Sequence, residues 1–209
     1  VTALDEAVVR IHSRESAETV ELQAADLEQA ADLRDRFVLA KQAVQVTGYA
    51  APGQIHQGVA IETHSRVPRG SGLGASSVLA AALVQALQRL AGRPDDAASV
   101  ADLVLALEQR MGSGGGWQDQ VGGLWPGAKV VSTVPRIPLR LQVEQVPLLP
   151  AVRQELEARL VLLFTGQERL ARNVLQIVVG RYLRRDRAVV DGIHELVELA
   201  DAGRQALAC

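Results

Sequence analysis

The feature that most limits how this chain can fold is the run Pro68-Arg69-Gly70-Ser71-Gly72-Leu73-Gly74-Ala75-Ser76-Ser77, set between an alternating segment and a long amphipathic one. Upstream, over 58–67, Ile61, Thr63, Ser65 and Val67 alternate with Glu62, His64 and Arg66, the period of a strand with one wet face. Downstream, Leu79, Leu83, Leu87 and Leu90 recur at helical spacing until Gly92 and Pro94 end the pattern. A strand, a glycine turn and a helix beginning near Ala75 bring main-chain N–H groups and a helix N-terminus to one point, where an anion is welcome. Ser76 and Ser77 offer hydroxyls in the first turn, one to cap the helix and one for a metal ion or phosphate. The same spacing also fits an ordinary tight turn with a serine cap. It does not fit a P-loop, which needs Gly-Lys-Ser/Thr, or a dinucleotide fingerprint with an acidic ribose partner.

Around this loop the chain alternates between helical and strand-like patterns. Ala7 to His12 and Thr19 to Gln23 are β-like, and Arg36 to Thr47 has helical spacing that stops at Gly48. Asp95 or Asp96 can cap a helix in which Val100, Leu103, Val104, Leu107 and Met111 form the apolar stripe, with Glu108 at its edge. Gly112 to Gly116 then breaks it. Strands are predicted over Lys129 to Thr133 and around Leu139, Leu141 and Val143, and Leu160 to Phe164 reads as a fully buried strand, with a short core helix as the alternative that periodicity leaves open. Two amphipathic helices, about Gln167 to Arg184 and Arg187 to Ala208, finish a pattern whose economical description is a single α+β unit.

Two acids stand where chemistry could use them. Glu108 and Asp119 are eleven residues apart, one near a helix end and one past the glycine run, so they can converge from helix and loop. Phosphoryl transfer to a hydroxyl needs such groups, one to hold the cation that screens phosphate charge and one to take or orient the hydroxyl proton. Singly, Glu108 reads as a solvated helix-edge residue and Asp119 as a helix cap. Gln118 and Gln120 flank Asp119 and suit sugar hydroxyls or an exposed turn, while Trp117 and Trp125 suit packing or, for Trp117, a sugar face. Arg169, at the head of a helix, suits a phosphate or open solvent.

Charge and cysteine content narrow the partners. The 209 residues carry a formal charge of -2 with no basic block, so nucleic acid is not expected. Cys209 is the lone cysteine, His12, His56, His64 and His194 lack metal-ligand spacing, and no apolar run or leader-like start is present. A cytoplasmic protein without membrane partners is the expectation.

With loop, acidic pair and glycine run in view, the sequence resembles the GHMP kinases. Pro-x-x-x-Gly-Leu-Gly with following small residues and serines is that family's central motif, although Ala75 stands where a first serine is usual. The family also has a magnesium-binding Glu and a catalytic Asp at the separation of Glu108 and Asp119. The string Gly114-Gly115-Gly116-Trp117-Gln118-Asp119-Gln120-Val121-Gly122-Gly123-Leu124 and the stretch Phe164 to Ala171 narrow the likeness to the L-fucokinases and their heptose-kinase relatives. From about Gly58 to Ala208 the chain is similar to the kinase part of plant-type bifunctional fucokinase/pyrophosphorylases.

The resemblance implies a two-layer α+β domain of the ribosomal protein S5 domain 2 type. It divides the chain into an N-terminal part over 1–57, an ATP-binding core over 58–135, and strands and helices over 136–209 that lead into an incomplete C-terminal subdomain. It implies ATP and Mg²⁺ as cofactors and L-fucose as the sugar acceptor at its anomeric hydroxyl, with another sugar 1-kinase as the alternative. Asp119 is the implied base, Ser76 and Glu108 the implied metal ligands, and Pro68, Gly70, Ser71, Gly72, Leu73, Gly74, Ala75, Ser76 and Ser77 the ATP-binding loop. Gly116, Trp117, Gln118 and Arg169 are the implied substrate contacts. An early Gly-Gly/Asp motif and a late glycine-rich motif of the family are not in the sequence, so truncation at both ends, a pyrophosphorylase domain upstream and an inactive binding fragment are further expectations.

Overall fold

The structure is a computed structural model that describes residues 1–23, 26–27, 32, 34–49, 58–68, 70–112, 115–137, 139–164, 166 and 171–208. Arg169 lies outside the described residues. The chain forms two compact units, one of Val1–Trp125 with Glu168–Arg172 and one of Pro126–Gln167 with Asn173–Cys209.

In the first unit, β1 (Thr2–Leu4), β2 (Val8–Ser13), β3 (Glu18–Gln23) and β4 (Gly58–Thr63) form a four-stranded sheet of order β1-β4-β2-β3. β2 and β4 run parallel, with Val9 opposite Val59 and Ile11 opposite Ile61, and β3 pairs antiparallel with β2 so that Val20 faces Ile11 and Leu22 faces Val9. Strand pleating therefore sends these apolar residues to one face, and Arg10, His12 and Glu21 to the other. β4 ends at Thr63 rather than continuing to Val67, because its ladder partner β2 ends at Ser13 and the chain turns there through Ala17 at φ 54.

Helices cover the apolar face. α1 (Val38–Val46) contributes Ala40, Ala43 and Val44 to the core, and it stops where Gly48 takes φ 61 and the Thr47 hydroxyl bonds back to the Ala43 carbonyl. α2 (Ala75–Leu90) buries Ala80, Ala81, Leu83, Val84 and Leu87, so small residues complete the leucine stripe, while Leu90 stays 37% exposed. α3 (Ala97–Arg110) begins at Asp96, whose carboxylate accepts from the Ala98 and Ser99 N–H groups, and it buries Val100, Val104 and Leu107. α4 (Gln118–Leu124) packs against α2 and α3.

The second unit contains an antiparallel pair, β5 (Lys129–Thr133) and β6 (Leu141–Gln145), the helices α5 (Pro150–Arg159) and α7 (Arg187–Ala208), and α6 (Ala171–Leu183) from Asn173 onward. The strand predicted for Leu160 to Phe164 is not formed. Those five residues follow α5 without strand structure, and their exposures run from 53% to 85%. Their apolarity signalled a need for burial, but the adjoining sheet is only β5 and β6, and it pairs no third strand with them. α5 was not foreseen: none of its residues is buried, so it lacks the apolar stripe by which helices are recognised.

Candidate active site

β4 delivers the chain to the glycine loop, and α2 leaves it. Gly70, Gly72 and Gly74 all have positive φ, at 67, 75 and 66°, so alternate residues adopt the hand that L side chains avoid. At Gly72 a Cβ would meet nothing within 4 Å, so the requirement there is conformational rather than steric. Gly74 is the N-cap of α2 and provides no side chain to its first N–H groups, which an α-helix leaves without internal acceptors. Serine capping, one of the two readings of the sequence, is therefore not what starts this helix. The loop is exposed at Pro68, Gly70, Gly72 and Leu73, and partly exposed at Ser71, Gly74 and Ala75.

The two serines part company. Ser76 is exposed on the first turn, whereas Ser77 is buried and its hydroxyl donates to the Glu108 carboxylate at 2.5 Å, linking α2 to α3 across 31 residues. Asp119 lies in the first turn of α4, and its Cγ would stand 3.0 Å from a Cβ on Gly74. The acidic pair thus converges on the mouth of α2. Burial pushes the Glu108 carboxyl above its ordinary range; the Ser77 hydrogen bond opposes that rise and the Asp119 charge adds to it.

α4 reaches this position by close approach. A Cβ on Gly123 would stand 2.8 Å from a methyl of Val78 on α2, so a glycine is what lets the helices meet. Gln118 is exposed, with its amide oxygen folded over Gly116, and Trp117 is half-buried at the N-cap of α4. Gln120 points inward and is fully buried, so of the two flanking glutamines only Gln118 keeps the solvent access that a sugar contact needs.

Among the described residues no group of three or more His, Cys, Asp or Glu side chains gathers as a metal site. The donor chemistry at the α2 mouth nevertheless suits Mg²⁺, which takes one or two carboxylates and completes its shell with water and substrate phosphate. Glu108 and Asp119 repel each other as anions, and a cation relieves that repulsion. A cavity of about 600 Å³ in the second unit, lined by Pro126, Ala128, Val146, Leu148, Leu156 and Leu160 among others, contains none of the predicted site residues. No helix among the described residues is long and apolar enough to cross a membrane.

A mixed sheet lies under helices, with a glycine cradle opening α2 and two carboxylates at its mouth, an arrangement suited to a phosphate and its counter-cation. Residues 38–127 match the GHMP kinases N terminal domain. It is 52% identical over 84% of its length to a bifunctional fucokinase/GDP-fucose pyrophosphorylase of Arabidopsis thaliana, and 33% identical over 59% of its length to an L-fucokinase/L-fucose-1-P guanylyltransferase of Bacteroides fragilis. The chain spans 17% and 13% of those two relatives. Its fold is also that of a crystallised mevalonate kinase, with a TM-score of 0.60 at 12% identity over 96% of this chain and 68% of the other.

Proposed function

We propose that the protein transfers the γ-phosphoryl group of ATP to the anomeric hydroxyl of L-fucose, giving L-fucose 1-phosphate. The observation that carries this reading is the placement of Asp119 against Gly74, which puts a carboxylate at the N-terminus of the helix that opens the glycine cradle. The two fucokinase relatives support fucose as the acceptor.

The chain's own residues divide the work. The positive-φ glycines and the free N–H groups of the first turn of α2 hold phosphate oxygens. Asp119 accepts the proton of the attacking hydroxyl. Glu108 and Ser76 would hold Mg²⁺, which supplies charge neutralisation on the phosphates. Ser77 fixes the Glu108 carboxylate from the buried side. Gly116 and Gln118, both exposed, and the half-buried Trp117 precede Asp119 and suit the sugar; Arg169 suits a phosphate by its place in the sequence.

The test is a sugar panel containing L-fucose and heptoses, with ATP, the protein at its natural length, and the phosphorylated carbon located by NMR. Fucose 1-phosphate is the expected product. Asp119→Asn is expected to keep ATP affinity and lose turnover by at least about 10³-fold. Wild-type turnover in that variant removes Asp119 from its role, and transfer only to heptoses replaces fucose as the substrate.

A further inference from the structure

Gln120 is the most deeply buried polar side chain among the described residues, with 0% exposure. Its amide nitrogen donates to the Gly116 carbonyl at 3.2 Å, while its amide oxygen has no hydrogen-bond partner. From the other side of the glycine run, Gln109 on α3 donates its amide to the Gly115 carbonyl at 3.1 Å. Each site carboxylate is thus followed directly by a glutamine, Glu108 by Gln109 and Asp119 by Gln120, and the two amides grip adjacent peptide units of the segment joining the carboxylates.

A glycine-rich connection leaves Asp119 free to drift relative to Glu108, because glycine restricts the backbone least. The geometry points to Gln109 and Gln120 as positioning residues that clasp the Gly115–Gly116 peptides and thereby set Asp119 against Gly74. This inference rests on the kinase reading of the same site. The unpaired buried oxygen of Gln120 argues for it. A buried acceptor without a donor is destabilising, and an apolar residue of the same length fills the space without that penalty. What a glutamine supplies there, and an apolar residue does not, is the grip of its nitrogen on Gly116.

The decisive variant is Gln120→Met, which keeps the side-chain length and removes both amide atoms. Its melting temperature is expected to equal or exceed that of the wild type, while kcat falls about 10- to 100-fold with the KM for ATP unchanged. Gln109→Met, on an exposed position, is expected to shift kcat in the same direction without affecting folding. Amide hydrogen exchange over residues 115–119 is expected to speed up about tenfold in Gln120→Met. Wild-type kcat in both variants, or wild-type exchange in Gln120→Met, overturns the clasp. A wild-type protein that phosphorylates no sugar of the panel overturns the kinase reading instead, and the exchange measurement still decides the clasp.

Discussion

Ser77 and Glu108 were brought together by folding in a way that spacing could not show. On the sequence, Ser76 and Ser77 are adjacent hydroxyls in one turn; in the structure the 100° step between neighbouring helix positions sends one to solvent and the other to Glu108. Ser76→Ala is therefore expected to raise the Mg²⁺ concentration needed for half-maximal activity without moving the pH profile. Ser77→Ala is expected to move the pH profile toward higher pH, because the hydroxyl lowers the pKa of Glu108. Titrations of activity against Mg²⁺ and pH separate the two. Stability gives a further check. The Glu108 carboxyl lies above its ordinary value of 4.5 in the fold, so between those two pKa values the folded state keeps a proton that the unfolded chain has released. Metal-free stability then falls as pH rises through that window. Glu108→Gln should match the wild type in melting temperature below pH 4.5 and exceed it at neutral pH. A variant that melts lower at pH 7 contradicts the assignment.

At the scale of elements, α1 depends on an ion pair at its entry. Asp35 accepts from the Phe37 N–H at 2.8 Å and from the buried Lys41 ammonium at 2.5 Å. Burial works to raise the Asp35 pKa, but the Lys41 and Phe37 hydrogen bonds outweigh it and hold the carboxyl below its ordinary 3.8. The stability it contributes is present above pH 3.8 and is lost as pH falls through the folded value. Asp35→Asn is expected to cost about 3 kcal/mol at pH 7 by leaving Lys41 buried without its counter-charge, and the gap to the wild type should close in acid. Denaturant titrations at several pH values read this directly. Elements with a period and a stop were legible in the sequence: α1, with Gly48 after it, and α3, with Asp96 before it, stand where the pattern put them. Elements held by other means were not. α5 announces itself only by Pro150 in its first turn and by Arg153–Glu157 and Glu155–Arg159 pairs one turn apart. The inward turn of Gln120 was hidden because α4 is too short to show a period.

At the scale of the whole molecule, the two units differ in what they hide. The first has a closed core of strand and helix residues, while the second leaves Leu160 to Phe164 in water as a contiguous apolar ribbon. Such patches bind other apolar surfaces. Leu162→Asp together with Leu163→Asp is expected to reduce both the fluorescence of a hydrophobic dye and the self-association of the 209-residue chain, with unfolding of the first unit unchanged. Equal sedimentation of both forms contradicts it. In the first unit, β4 is an interior strand, flanked by β1 on one side and β2 on the other, with Thr2 opposite Ala60. The strand that launches the phosphate loop is thus inserted between two strands that precede it in the sequence. β2 and β3 can pair before β4 emerges, whereas β1, which pairs with β4 in this sheet, is placed only when that distant pairing closes, and the loop takes its shape then. Substitutions that weaken the Thr2 to Leu4 ladder therefore act on when the glycine loop assembles, although they touch none of its residues.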